Sequence, residues 1–365
     1  MRLFLFVLLL LPVFVACSDD PSEPQEGVGR TVIVYLGVDN NFAGEGAEKI
    51  KVLTENWKGS YNGNLLVYAD AGRAVLVHIY ENKSGRRMAD TIQEYGSENS
   101  ADPVVLKRVL SEVKEQFPAD SYGMIVLSHG SGWLPQGQLT APASIIQDRR
   151  SEMELGDFVE AIPMPLDFII FDACFMGTIE VAYELKEKVK YVVASPAEVL
   201  APGFVYENIV GHLMKDEPDL VAVAKDFYEY YDGLSDFWRS ATVSVVKTEG
   251  LDEVAACFRE IGDMEDAEGM DLSQIQNYGY ASHILFTDIG DYVSHWSPKC
   301  YEQFMKKLNE AVVYKAHTPG YYSSGNMAYN AINAYSGLAL YVPQVYYPFL
   351  NEEFQKLKWV RAISR

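Results

Sequence analysis

Apolar runs and helical patterns alternate along the chain from Thr31 onwards. Thr31–Val38 is a β-branched run that ends in a polar turn, and Gly46–Trp57 is predicted to form a helix. Further strands are predicted at Asn64–Ala69, Ala74–Tyr80, Tyr122–Leu127, Asp167–Phe171, Tyr191–Ala194, Thr242–Val246 and Ser336–Val342. Further helices are predicted at Asp102–Phe117, Leu155–Ile162, Thr178–Lys188 and Leu251–Ile261. This alternation predicts an α/β fold with a mostly parallel sheet flanked by helices on both faces.

Two long segments rich in glycine and proline interrupt this pattern. Gly130–Ser151 and Ser195–Asn208 each follow the end of a predicted strand. Ligand sites in open parallel sheets form at the carboxyl ends of the strands, and unusually long loops there are often functional. The pattern therefore points to one edge of the sheet as the place to look for a site.

The first residues have the pattern of an export signal. Leu3–Val15 is almost entirely apolar, and it is too short to cross a bilayer as a mature helix. Phe14–Cys17 resembles a bacterial lipobox, in which the cysteine is lipidated and becomes the mature N-terminus. We therefore expect residues 1–16 to be removed and Cys17 to carry a lipid anchor. The alternative is an ordinary cleaved signal with an incidental cysteine.

Residues 17–30 are polar and rich in proline, which predicts a solvated tether. Ser18-Asp19-Asp20 resembles the export signal of surface-displayed bacterial lipoproteins, and a spacer that faces the periplasm is the alternative. We expect an exported outer-membrane lipoprotein. Its folded part is predicted to be a single domain at residues 31–345, followed by a C-terminal extension at 346–365.

The charge balance limits the class of partner. The formal net charge is −21 and the isoelectric point is near 4.7. Such a surface repels phosphate backbones, so the sequence argues against a nucleic-acid partner, whereas basic peptides would be attracted.

Four cysteines are present, and Cys17 is assigned to the anchor. The remaining number is odd, so at least one thiol is predicted to stay free in an exported protein. Cys257 and Cys300 lie in or beside helical patterns and are expected to be small buried apolar residues. A disulfide bond between these two is the alternative.

Two predicted strands run directly into reactive residues. Tyr122–Leu127 leads to His129, and Asp167–Phe171 leads to Cys174. If both strands belong to one parallel sheet, the two side chains lie at the same edge. A histidine can act as base and cation for a thiol, and the helix that follows Cys174 is expected to favour the thiolate through its dipole. The glycine-rich turn after His129 lets backbone N–H groups approach a reacting carbonyl.

These motifs occur in an order that resembles the clostripain-like cysteine peptidases, relatives of caspases, gingipains and legumains. The matching segments are VIVYLGVDNN at 32–41, HGSGW at 129–133, DACFM at 172–176, IEVAYEL at 179–185, ASPAEVLAPGFVY at 194–206, FTDIGDY at 286–292 and GLALYVP at 337–343. An ordered set of this kind is far more specific than either catalytic motif alone. The resemblance implies a caspase–haemoglobinase-like fold and a cysteine endopeptidase.

The resemblance also implies a role for each site residue. Cys174 would be the nucleophile and His129 the general base and acid, with the backbone N–H groups of Gly130 and Cys174 as the oxyanion hole. Asp172 would lie at the floor of the specificity pocket and select Arg or Lys before the cut. The physical argument agrees, because residues two apart on a strand share a face. The alternative for Asp172 is a structural cap on the turn that follows it.

Several relatives of this kind cleave themselves between the two catalytic strands after a basic residue. Arg149 and Arg150 form the candidate site here, and a solvated pair of loop charges is the alternative. No cofactor or metal is expected, because the histidines lack metal-ligand spacing. Some relatives are activated by calcium, but no calcium site is identified in this sequence.

The implied partners are peptides or proteins with Arg or Lys before the cut, and a membrane reached through the lipid anchor. Two other classes of protein stay open. One is a surface binding lipoprotein that has lost turnover on the same fold. The other is a sugar-binding lipoprotein, which the 24 tyrosines suggest. The sequence shows no cluster of aromatic residues with convergent polar groups to support this class.

Overall fold

The computed structural model describes residues 27–136, 145–262, 264, 270–280 and 283–364. The strands in these residues are β1 (Arg30–Gly37), β2 (Gly63–Asp70), β3 (Ala74–Glu81), β4 (Arg87–Gly96), β5 (Ser121–Leu127), β6 (Gln147–Asp148), β7 (Ser151–Glu152), β8 (Leu166–Asp172), β9 (Val189–Ala194), β10 (Thr242–Lys247), β11 (Asn277–Tyr280), β12 (His283–Asp288), β13 (Val312–His317), β14 (Gly320–Ser323), β15 (Ala328–Ala331) and β16 (Ala339–Leu340). The helices are α1 (Ala43–Asn56), α2 (Pro103–Gln116), α3 (Leu155–Ala161), α4 (Ile179–Leu185), α5 (Tyr206–Leu213), α6 (Leu220–Asp232), α7 (Leu251–Ile261), α8 (Ile289–Trp296), α9 (Tyr301–Ala311), α10 (Pro348–Phe354) and α11 (Lys358–Ile363).

The main sheet has the strand order β13-β10-β9-β8-β5-β1-β2-β3-β4. Its five central strands, β9, β8, β5, β1 and β2, are parallel. The strands at both edges run antiparallel to their neighbours. The parallel centre places the carboxyl ends of β1, β5 and β8 side by side at one edge of the sheet, as the sequence pattern predicts.

Side chains of the central strands alternate between two apolar cores. In β1, Val32 and Val34 belong to one core, whereas Ile33 and Tyr35 belong to the other, and all four are buried. Helices α1, α5 and α6 supply the first core with their apolar faces. Helices α2, α3, α4, α7 and α11 supply the second. The predicted α/β fold, a mostly parallel sheet between helix layers, is therefore confirmed.

Two predicted helices begin one residue later than expected, because their first polar residue is the cap. The Asp102 carboxylate accepts a hydrogen bond from the Val104 N–H at 2.8 Å, ahead of α2. Thr178 Oγ1 accepts one from the Val181 N–H at 3.3 Å, ahead of α4. Such caps satisfy backbone donors that the first helical turn leaves unpaired.

Eight strands of the described structure lie outside the predicted ones, namely β4, β6, β7 and β11 to β15, and one predicted strand is shortened. Strand β4 was missed because its side chains are largely exposed at the sheet edge, so the segment has no apolar run. The strand predicted at Ser336–Val342 is reduced to Ala339–Leu340, which joins β11 and β12 in a small separate sheet. Leu338 and Tyr341, on either side of β16, are both fully buried without belonging to a strand. Their apolar pattern therefore reflects side-chain packing and not strand pairing.

The C-terminal residues pack against the rest of the domain. Trp359 on α11 is fully buried, with its ring 5.6 Å from that of Tyr183 and 5.5 Å from that of Phe258. These partners lie on α4 and α7. The boundary predicted at residue 345 therefore does not coincide with a break in packing, and α10 and α11 complete the second core.

The predicted signal peptide, the anchor at Cys17 and the tether as far as residue 26 lie outside the described residues. Where the chain is described, no helix is both long and apolar enough to cross a membrane. Cys257 and Cys300 are free thiols, so the alternative of a disulfide bond between them is not realised in this structure.

Candidate active site

The carboxyl ends of β5 and β8 open into a cleft. Leu127 pairs with Asp172 in the parallel register, so His129 and Cys174, each two residues further on, leave the sheet at the same level. Both side chains line this cleft, which is open to solvent. Its lining consists of Phe42, Glu45, Leu127, Ser128, His129, Asp172, Ala173, Cys174 and residues 199–203. The structure thus brings together the histidine, the cysteine and the aspartate that the sequence singled out.

Two glycines allow the loop of His129 to touch the loop of Cys174. A Cβ atom on Gly130 would lie 2.7 Å from the backbone oxygen of Cys174. Gly132 has a φ of +71°, and a Cβ atom there would lie 3.0 Å from the backbone oxygen of Phe175. A side chain at either position would force the two loops apart, which explains why glycine is needed here.

The imidazole of His129 is held on two sides. Its Nε2 is 2.6 Å from Asn41 Oδ1, and the ring of Phe42 packs against it with centroids 4.4 Å apart. Burial lowers the pKa of His129 below its ordinary value of 6.5, so the neutral form is favoured. With Nε2–H donating to the Asn41 oxygen, Nδ1 is the basic nitrogen.

The thiol of Cys174 is packed beneath the loop that follows β9. The Val199 N–H donates to Sγ at 3.3 Å, and the Val199 carbonyl lies 3.8 Å from Sγ as an acceptor. Burial, followed by the Glu198 carboxylate, raises the pKa of Cys174 from 9.0 to about 12. Both influences favour the neutral thiol, whereas the sequence analysis expected the helix after Cys174 to favour the thiolate. Helix α4 has only seven residues and begins at Ile179, five residues after Cys174, and the effect of a helix dipole falls off within the first turn.

Asp172 ends β8 and lies in the cleft, where only 6% of it is exposed. The Phe204 N–H donates to Oδ2 at 3.3 Å, and a Cβ atom on Gly203 would lie 2.3 Å from both carboxylate oxygens. Burial raises the pKa of Asp172 from 3.8 to about 6, and the ammonium of Lys49 is the largest opposing influence. The hydrogen bond comes from the loop at 203–204 and not from the turn after β8, which argues against the alternative of a structural cap.

Glu198 anchors the loop that covers Cys174. Its Oε1 accepts hydrogen bonds from Ser323 Oγ at 2.9 Å and from the Ser324 N–H at 3.0 Å. Its Oε2 accepts from the same N–H at 3.1 Å and from Ser324 Oγ at 2.6 Å. These bonds join the segment after β9 to the hairpin of β14 and β15. A distant part of the chain therefore fixes the position of the nucleophile.

Three residues of the site had no role in the sequence analysis: Asn41, Lys49 and Glu198. A signal existed for Asn41, because it follows β1 at the same sheet edge as His129 and Cys174. Lys49 and Glu198 carry no such signal. A lysine in an amphipathic helix and a glutamate in a loop are normally solvated, and only the folded chain buries these two.

Arg149 and Arg150 form the two-residue turn of a small hairpin, in which Asp148 pairs with Ser151. Arg149 has a φ of +52°. Its Nε contacts the Asp39 carboxylate at 2.6 Å, and its N–H donates to the Asp39 carbonyl at 2.9 Å. Asp39 lies two residues before Asn41, so this hairpin is attached to the turn that holds His129.

Within the described residues, no group of three or more His, Cys, Asp and Glu side chains is arranged to hold a metal ion.

Comparison with known proteins covers most of the chain. The family model described as the clostripain family matches residues 34–358. Clostripain from Hathewaya histolytica is 26% identical over 238 residues, which is 54% of this chain and 45% of that protein. The match thus spans less than half of the length of this relative.

Two solved structures resemble the whole fold. An inactive zymogen of a C11 protease from Parabacteroides distasonis is 34% identical, with a TM-score of 0.81 over 92% of this chain and 98% of that one. A secreted C11 cysteine protease from Bacteroides thetaiotaomicron, in complex with an irreversible peptide inhibitor, is 26% identical, with a TM-score of 0.82 and the same coverage.

Proposed function

Since the chain belongs to the clostripain family of cysteine proteases, we propose that it is an exported cysteine endopeptidase that cleaves peptide bonds after Arg or Lys. The observation that carries the proposal is one cleft that contains a thiol, an imidazole and a buried carboxylate. A relative with a bound peptide inhibitor supports a peptide as the substrate.

In the proposed reaction, Cys174 attacks the carbonyl carbon of the scissile bond. Its proton passes to Nδ1 of His129 as the sulfur–carbon bond forms, because a buried thiol with a pKa near 12 is not ionised beforehand. The N–H groups of Gly130 and Cys174 would stabilise the negative oxygen of the tetrahedral intermediate. The same imidazole then protonates the leaving amine, and water hydrolyses the thioester by the reverse proton path.

Specificity in this proposal depends on Asp172. Its carboxylate is nearly inaccessible to water and lines the same cleft as Cys174, with Glu45 as a second acidic residue of the lining. A guanidinium or ammonium group from the substrate would place a positive charge directly against this buried carboxylate. Asp172 would thus favour Arg or Lys directly before the cut.

The test is a series of fluorogenic peptides that differ only in the residue before the cut. We expect cleavage of the Arg and Lys peptides and little cleavage of the Asn, Asp and Leu peptides. Cys174→Ala and His129→Ala should each abolish cleavage with an unchanged melting temperature. A wild-type protein that binds peptides without cleaving them would instead identify a binding lipoprotein, and normal turnover by Cys174→Ala would contradict the catalytic assignment.

Self-processing at Arg149 and Arg150 is part of the same proposal. The pair is exposed at a hairpin turn, and a relative is known as an inactive zymogen. Purified wild-type protein should run as two fragments and Cys174→Ala as one, with the second fragment beginning at Arg150 or Ser151. A fully active enzyme that remains a single chain would contradict processing but leave the catalytic proposal intact.

Export and anchoring rest on the first residues alone. The apolar run, the lipobox-like Phe14–Cys17 and the polar tether support a lipid anchor at Cys17. Cys17→Ser should release the protein from membranes and prevent its labelling by a palmitate analogue, and unchanged membrane association of this variant would contradict the anchor. Protease treatment of whole cells would then separate surface display from a periplasmic location.

A further inference from the structure

A buried lysine lies beside the specificity pocket and takes no part in the reaction above. Lys49 on α1 is only 6% exposed. Its Nζ donates to the Pro202 carbonyl at 2.5 Å and lies 4.3 Å from the ring centroid of Tyr206. Lysine is almost never buried to this extent without a counter-charge, because removing an ammonium group from water is costly. Neither a carbonyl group nor an aromatic ring carries a full negative charge.

The carboxylate on which the charge of Lys49 acts is that of Asp172. Pro202, which binds Lys49, is followed by Gly203 and Phe204, and these two residues contact the Asp172 carboxylate. A loop of three residues therefore touches the lysine at one end and the aspartate at the other. The positive charge of Lys49 also acts on Asp172 through space and is the main influence that keeps the pKa of Asp172 from rising further.

We propose that Lys49 is a positioning residue for the specificity pocket: it keeps Asp172 ionised and fixes the 202–204 loop against it. The inference deepens the proposed function and rests on it, because an ionised Asp172 is what would attract Arg or Lys. Lys49 does not touch the substrate in this scheme. It acts through Asp172 and the loop.

The other groups that face Asp172 are one carboxylate and uncharged hydrogen-bond donors, and of these the Phe204 N–H and the Tyr206 hydroxyl also lower the pKa of Asp172. Glu45 lies one helical turn before Lys49 on α1, and its negative charge raises the pKa of Asp172. The hydroxyl groups of Tyr206 on α5 and Tyr231 on α6 remain neutral, since burial raises the pKa of both. Among the groups that lower the pKa of Asp172, Lys49 has the largest effect.

The experiment compares two peptides, one with Arg and one with citrulline before the cut, from pH 4 to pH 9. Citrulline has the shape of arginine without its charge. The ratio of their kcat/KM values cancels the titrations of Cys174 and His129, which both peptides share, and leaves that of Asp172. In the wild-type enzyme the ratio should rise with a midpoint near pH 6, where Asp172 ionises.

Removal of the lysine charge should move this midpoint. Loss of a nearby positive charge makes ionisation of a carboxylate harder, so Lys49→Met should shift the midpoint upward by about one pH unit or more. Lys49→Gln should give the same shift and keeps an amide donor for the Pro202 carbonyl. This variant replaces Lys49→Met in the test if the Met variant folds poorly. Lys49→Arg should retain the wild-type midpoint. Lys51→Met, at an exposed position on the same helix, is the matched control and should not shift it.

The outcomes separate the two proposals. A wild-type ratio that rises with pH, combined with the same midpoint in Lys49→Gln or Lys49→Met, would overturn the role of Lys49 and leave the basic specificity standing. A wild-type ratio near one at every pH would remove the basic specificity itself, and the role of Lys49 with it. An upward shift in both charge-removing variants and none in Lys49→Arg is the result that the proposal requires.

Discussion

At the scale of single residues, burial shifts the pKa values of the three candidate site residues in the cleft. It raises the pKa values of Cys174 and Asp172 and lowers that of His129. All three shifts favour the neutral form, because charge is poorly solvated there. A bound substrate with a basic side chain would therefore bring a positive charge to Asp172. The thiol of Cys174 would lose its proton only as it attacks the scissile carbonyl.

Asn41 is predicted to orient the catalytic imidazole. Asn41→Ala removes the acceptor for Nε2–H, so the ring can rotate or change tautomer, and kcat should fall by about 10- to 100-fold with little change in KM. Asn41→Asp keeps an acceptor and adds a negative charge that raises the pKa of His129. Most activity should therefore remain, with the acid limb of the rate profile moved to higher pH. Equal kcat values for Asn41→Ala and the wild type would contradict this role.

Asp172 is predicted to destabilise the folded protein at neutral pH. Its pKa is about 6 in the folded state and 3.8 ordinarily, so the folded protein keeps this proton to a higher pH than the unfolded chain does. Stability is then lost as the pH rises from about 4 to about 6, by on the order of 3 kcal/mol. Asp172→Asn cannot ionise and should melt at a higher temperature than the wild type at pH 8, but not at pH 4. A lower melting temperature at both pH values would indicate a structural role.

At the scale of elements, the register of β5 and β8 decides the geometry of the site. Leu127 and Asp172 are direct partners, so equal extensions of both strands bring His129 and Cys174 to one level. A slip of one residue would turn every side chain of the strand to the other face. The hairpin of β6 and β7 adds a second constraint, because Arg149 is joined to Asp39 in the turn that leads to Asn41.

The hairpin is predicted to protect the proposed processing site. A protease cleaves an extended segment, whereas Arg149 has a φ of +52° in a tight turn held by Asp39. Asp39→Asn weakens this hold and should make self-cleavage several times faster, as followed on gels from freshly made, unprocessed protein. Glu48→Gln, which alters an exposed carboxylate on α1, is the control. An unchanged rate in Asp39→Asn would show that the ion pair does not limit opening of the hairpin.

At the scale of the whole molecule, the second core is completed by the end of the chain. Helix α11 contacts α4 and α7, and α4 directly follows the loop of Cys174. Glu180 on α4 is buried and accepts a hydrogen bond from the Tyr341 N–H at 2.7 Å. The C-terminal quarter of the chain therefore packs against α4, the helix that follows Cys174, and stabilises its position.

Trp359 is predicted to be essential for stability. Replacing a fully buried aromatic residue with alanine typically costs about 3–5 kcal/mol, so Trp359→Ala should lower the free energy of unfolding in urea by this amount. Tyr346→Ala, at a side chain that is 84% exposed in the same segment, should change it by less than about 0.5 kcal/mol. A similar small effect for both variants would mean that α11 is not part of the cooperative unit.

Much of the fold could be predicted because the signal is local. Apolar runs such as Thr31–Val38 and Asp167–Phe171 are buried on both faces, and their composition alone distinguishes them from helices and exposed strands. Strand β4 at the sheet edge lacks that signal, and β16 is shortened because its segment is covered by packing from elsewhere.

By itself, the sequence determined the fold class, the edge of the sheet that bears the site, and the three side chains that meet there. These depend on strand direction and on the order of residues along single strands. The tertiary structure alone decided the direction in which the pKa of each of those side chains shifts, and it alone brought Asn41, Lys49 and Glu198 to them. Burial and charge contacts depend on segments far apart in the chain, such as Glu198 with Ser323, and a linear pattern contains no measure of such distances.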